Sequence, residues 1–125
     1  MLTGKINSRL EAVISVSIRG PEGRVLEADA TVDTGFSGTL SLPREMVAGL
    51  GLLPYGTMLG TLADGRESFF PVYTAIVFWH GKPRLTYVSV VESEPLLGMG
   101  MLHGCEFSMQ VVEGGEVAIQ ELGFS

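Results

Sequence analysis

The stretch Ala30–Pro43, ATVDTGFSGTLSLP, sets one carboxylate, Asp33, in a tight Asp-Thr-Gly sequence between apolar residues. A carboxylate in such a turn has two uses. It can accept hydrogen bonds from its own turn's backbone, or it can take a proton from a water that attacks a carbonyl. The second use also needs a donor for the carbonyl oxygen. Two carboxylates about 3 Å apart supply both roles, because repulsion leaves the pair sharing a single proton. The chain carries the triplet once. If Asp33 does this chemistry, its mate must come from a second copy across a two-fold axis.

Other residues that could do chemistry are weaker candidates. Asp64 precedes Gly65 and reads as a hairpin-turn residue. Ser37 stands in GFSG, which is not the Gly-x-Ser-x-Gly elbow of a serine nucleophile. His80, His103 and Cys105 are the soft-ligand candidates, but their spacing makes no zinc set, so they read as packed or solvated side chains. GMGMLHG, from Gly98 to Gly104, has glycines out of step with a dinucleotide loop and too little chain after it for a βαβ unit. No metal or organic cofactor is expected.

The elements around Asp33 must be strands. In LEAVISVSI the positions Leu10, Ala12, Ile14, Val16 and Ile18 are apolar and alternate with Glu11, Ser15 and Ser17. Gly20–Gly23 makes a turn, and the alternation resumes through Leu26, Ala28, Ala30 and Val32 into Asp33. A short helix is expected after SGTLSL, with Ser41 as cap, Pro43 and Glu45 in the first turn, and Gly49 and Gly51 at its end. Asp64-Gly65 turns a hairpin, and strands are expected over Glu67 to Trp79 and Arg84 to Val91, joined by HGKP. Pro71 implies an edge or a bulge. A helical turn near Met101 to His103 and a hairpin across Glu113-Gly114-Gly115 complete the chain. Segments EAVISVSIRGPEGRVLEADATVDTG and YTAIVFWHGKPRLTYVSVVESEPLLG echo one another in pattern.

Composition bounds the rest. The 125 residues suit one domain, 1–125, with a real core. Only 18% are charged and mean hydropathy is +0.34. A β-rich core and burial against another subunit account for that equally well. The net charge of −6, without a basic run, excludes nucleic acid and anionic membranes as expected partners. No apolar run is long enough to span a bilayer. The single cysteine fits a reducing compartment, so a cytoplasmic location is expected.

Val32-Asp33-Thr34-Gly35, preceded by alternating strands and followed by SGTLSL, resembles the active-site loop of aspartic proteases. Leu96-Leu97-Gly98 resembles their second signature, and the Asp64-Gly65 hairpin lies where they carry a flap. With one triplet in a chain of this length, the sequence is similar to the single-domain retropepsin-like group. It is most like small bacterial and archaeal members whose triplet continues with Phe. The resemblance covers Leu10 to Gly104 and implies an all-β, closed retropepsin-like barrel with one or two short helices.

It further implies an endopeptidase active as a homodimer on peptide or protein substrates, with Asp33 of each subunit catalytic. Thr34 would bond across the two-fold axis, and Gly35 would allow close approach. Leu96, Leu97 and Gly98 would support the loop, while Leu62, Ala63, Asp64, Gly65 and Arg66 would close over substrate. Two departures stand out. Phe36 replaces a serine that bonds the aspartate in pepsin-like enzymes and is read as a wall of a specificity pocket. Met99 and Gly100 stand where retropepsins carry Arg and then Asn or Asp. They favour an alternative: a catalytically silent dimerisation or peptide-binding module.

Overall fold

The computed structural model describes residues 1–123. Strands β1 (Leu2–Ile6), β2 (Ala12–Arg19) and β3 (Val25–Val32) open the chain, followed by β4 (Leu40–Pro43) and helix α1 (Arg44–Gly49). Strands β5 (Pro54–Thr61), β6 (Glu67–Trp79), β7 (Lys82–Val91) and β8 (Leu96–Leu97) come next, then helix α2 (Met99–Leu102). Strands β9 (Cys105–Met109) and β10 (Glu116–Glu121) end it.

Six strands, in the order β6-β7-β4-β8-β3-β2, close into a barrel through the antiparallel pairing of β2 with β6. Closure follows from the alternation. Ile14, Val16 and Ile18 of β2, Ala28 and Ala30 of β3, and Val77 and Val88 across the ring all point into one buried cluster. Each large side chain gains roughly 1.5–3 kcal/mol on burial, and the strands collect that only when the ring shuts. Outside the ring, β5 pairs with β6 alone, while β1, β10 and β9 extend the sheet from β2.

Three hairpin turns share one build. Asn7–Glu11, Gly20–Arg24 and Leu62–Arg66 each close with paired backbone bonds between their ends, for example Leu62 N to Arg66 O at 2.7 Å and Gly65 N to Leu62 O at 2.9 Å. The residue before the last is left-handed in each: Leu10 (φ 60), Gly23 (φ 85) and Gly65 (φ 87). These are three-residue connections ending in a glycine-type bulge. The sequence expectation of a turn at Asp64-Gly65 holds, with Gly65 alone taking the positive φ.

Several local expectations are corrected. Leu10 is a turn residue, 56% exposed, and β2 begins at Ala12. Ser41 caps nothing: it is a buried β4 residue whose hydroxyl bonds the hydroxyl of Ser89. Pro43 is the cap itself, extended at ψ 152, and no side chain bonds the first turn of α1. The helix stop is as expected, since Gly51 (φ 65) donates to Ala48 O and Leu52 N to Val47 O. The β6–β7 link is a tight His80-Gly81 turn with both residues at positive φ, so β7 starts earlier, at Lys82. At Pro71 β6 has only β5 beside it, because pairing with β7 starts at Val72. Strand β9 stops at Met109, and Gln110–Gly115 form a loop bonded back to Ile6.

Candidate active site

β3 and β8 run parallel, with Thr31 opposite Leu96 and Val32 opposite Leu97. Asp33 makes the last bond of this ladder, its N–H donating to Leu97 O at 2.8 Å. The chain then turns sharply. Gly35 N donates to Asp33 Oδ1 at 2.9 Å, and Phe36 N donates to Asp33 O at 3.1 Å. The carboxylate is therefore oriented by its own turn. Asp33 is half-buried, whereas Thr34 and Gly35 are exposed.

The far side of the loop is held by the chain after β8. Gly98 N donates to Thr39 O at 2.9 Å, Met99 N to Phe36 O at 2.7 Å, and Gly100 N to Gly38 O at 3.0 Å. Such close backbone approach requires the absence of a side chain. A Cβ on Gly98 would stand 2.2 Å from Gly38 O and 2.6 Å from Phe36 O. Leu97 is fully buried and Leu96 half-buried beneath the turn. The structure thus brings Asp33, Thr34, Gly35 and Phe36 together with Leu96, Leu97 and Gly98.

Phe36 also faces a cavity of about 330 Å³ that it shares with Leu40, Tyr55, Met58, Val72 and Tyr87, among others. The walls are overwhelmingly apolar. Tyr55 and Tyr87 lie with ring centroids 5.0 Å apart. The Tyr87 phenol is held above its ordinary pKa, first by its side-chain hydrogen bond with Tyr55 and then by charge repulsion between the two. Thr39, at the other end of the loop, donates its hydroxyl to Tyr87 O at 2.6 Å.

The β5–β6 hairpin contributes its base to this cavity and not its tip. None of Leu62, Ala63, Asp64, Gly65 and Arg66 lines it. Asp64 accepts from Arg66 N at 3.0 Å and from Arg66 Nε at 2.6 Å, an exposed turn interaction. His80 and Cys105, distant in sequence, do meet, with Sγ 3.8 Å from Nε2, and His80 Nδ1 lies 3.9 Å from Glu121 Oε1. Sequence reasoning missed Tyr55, Thr57, Met58, Val72, Tyr87 and Ser89. Alternation could have paired Tyr55 with Thr57, and Tyr87 with Ser89, on single faces. It could not show that those faces and Phe36 enclose one space.

Comparison with known proteins locates the architecture. No protein-family model and no curated protein matches the chain. A solved structure described as a retropepsin-like aspartic protease from Rickettsia conorii does match, with a TM-score of 0.58 and 19% identity. The match covers 97% of this chain and 92% of that one. The all-β barrel with its Asp33 loop therefore has the retropepsin-like fold.

Proposed function

We propose that the chain is an aspartic endopeptidase, active as a homodimer, in which one Asp33 from each subunit forms the catalytic dyad. The observation that carries this reading is the Asp33 turn. Its carboxylate is oriented by Gly35 N, its backbone is tied to Leu97, and Thr34 and Gly35 are left exposed for a partner. Across a two-fold axis two such turns would face one another. One carboxylate would take a proton from water, and the protonated mate would donate to the peptide carbonyl oxygen. The cavity beside Phe36 would hold an apolar substrate side chain, because it offers no charged group to pair with a charged one. The β5–β6 hairpin would cover the bound peptide and exclude water. Exposed Tyr55, Met58, Leu59 and Phe69 on that hairpin are consistent with such contact.

Among the described residues no helix is long and apolar enough to cross a membrane. A cytoplasmic location belongs to the same proposal, resting on the lone cysteine. The second reading, a silent dimerisation or peptide-binding module, is favoured by Met99 and Gly100, which carry no polar side chain where the resemblance implies two.

Mixing separates the readings. Asp33→Asn keeps the shape of the turn but cannot share the proton, so the variant dimer should be folded and inactive. Exchanged in equal amounts with wild-type chains, it leaves about a quarter of dimers fully wild type, halving the activity of the wild-type input. Activity that is indifferent to mixing would mean independent sites in each subunit. A wild-type protein that binds peptides without cleaving them would establish the silent module.

A further inference from the structure

We infer that Arg84 is a positioning residue for the Asp33 loop, acting through α2; this rests on the dyad reading above. Helix α2 is a single turn without a side-chain cap, and its last carbonyls have no partner within the helix. Arg84, on β7, supplies one. Its Nη1 donates to Met101 O and its Nη2 to Gly100 O, each at 3.3 Å. Among the described residues no carboxylate lies within 4.0 Å of an Arg84 nitrogen. This half-buried guanidinium is therefore committed to two backbone carbonyls, a use that suits its rigid fork and not an ammonium.

The opposite side of the same turn grips the active-site loop. Gly98, Met99 and Gly100 donate to Thr39, Phe36 and Gly38. The α2 turn is thus clamped between the Arg84 fork and the loop that carries Asp33. Met99 and Gly100 have no polar side chain with which to fix that turn, and the arginine that does so comes from another strand. Releasing the fork leaves α2 held from one side only, and the loop gains freedom at the atoms that set the carboxylate's position.

The test uses Arg84→Met, which keeps an apolar stem, and Arg84→Lys, which keeps charge but cannot fork. Below the melting temperature of each variant, kcat toward a peptide substrate should fall about tenfold to a hundredfold with KM within about twofold, the signature of misplaced reacting groups. Lys should recover only part of the loss. Amide hydrogen exchange should speed up about tenfold at Asp33, Gly98, Met99 and Gly100, while the barrel amides of β2 keep their protection. Exchange that rises evenly through the barrel, or an unchanged kcat, overturns the inference in favour of a merely stabilising arginine. A wild-type chain with no peptidase activity refutes the dyad reading instead, and the exchange pattern still decides whether Arg84 holds the loop.

Discussion

The barrel is built twice from the same plan, and the two halves diverge where the aspartate stands. In the first, β1, β2, β3, β4 and α1 follow one another; in the second, β5, β6, β7, β8 and α2 do. The pairings repeat as well. β2 with β3 matches β6 with β7, and the parallel pair β3–β8 matches the parallel pair β7–β4. The β2–β6 and β4–β8 contacts join the halves about a shared axis. Because Leu40 pairs with Leu97 and Ser41 with Leu96, the axis relates Leu40 to Leu96 and Ser41 to Leu97. Register then carries Val32 onto Ser89, Asp33 onto Val90, and Gly98 onto Leu42.

The difference lies in how far each parallel pair runs. β7 stays beside β4 for four residues, through Val90 opposite Leu42 and Val91 opposite Pro43. β3 stays beside β8 for two, then turns off at Asp33. Leu42 is a fully buried side chain that fills its half. Gly98 has none, and the loop from Asp33 to Thr39 folds into the space it leaves. One half thus spends this position on core and the other on a loop. Only one half carries such a turn and its carboxylate, so the proposed dyad takes its second aspartate from a second chain.

Restoring a side chain at Gly98 breaks this difference most severely. In Gly98→Ala the new Cβ meets backbone oxygens of Gly38 and Phe36 that no rotamer change can move. The loop must shift, at a cost of about 2–3 kcal/mol, typical of an overfilled site. Chemical denaturation should show that loss, and peptidase activity should disappear even where the protein remains folded. A variant with wild-type stability would mean that the loop stands clear of Gly98.

Much of this plan was legible in the chain. Ile14, Val16 and Ile18 announced their strand by alternation, and the two echoing segments are the β2–β3 and β6–β7 arms of the duplicated plan. The Asp33 loop and its Leu96-Leu97-Gly98 support were found as short motifs. Their contact was legible only through resemblance, since a parallel pairing between distant segments leaves no local trace. The same holds for the fork of Arg84 on Gly100 and Met101, and for Tyr55 and Tyr87 beside Phe36. Ser41 was misread because Ser-x-Pro before a helical pattern fits a cap. What decided its place was the neighbouring Ser89, far away in sequence.

The hairpins that open the two halves sharpen the comparison at lower energy. Leu62–Arg66 and Asn7–Glu11 have the same bonds, but one stands free beside β6 while the other is anchored through β1 to β10. In Gly65→Val nothing crowds the new side chain, so the whole penalty is the left-handed φ, about 1–2 kcal/mol. Because β5 lies outside the closed ring, barrel stability should change little. If the hairpin covers the substrate, kcat/KM should fall about tenfold. Full activity on long peptides would remove the hairpin tip from the mechanism.

The mirror experiment is Leu10→Gly, and its effect is the smallest. Leu10 holds the same left-handed site as Gly65 but carries a side chain there, at φ 60. Asn7 compensates in part, its Oδ1 accepting from Arg9 N at 3.0 Å and Glu11 N at 2.9 Å. Glycine removes the strain of about 1–2 kcal/mol but loses about 0.5–1 kcal/mol to the entropy of the unfolded chain. Leu10 is 56% exposed, so the side chain also gives up a little under half of a leucine's burial, about 1 kcal/mol. The balance is close to zero, read as a nearly unchanged denaturant midpoint at constant slope. A loss well beyond about 1 kcal/mol would mean that something further covers Leu10 in solution. Repeating the measurement across protein concentration would then tell whether the cover is a second subunit, because only an intermolecular contact makes the loss grow as the dimer forms.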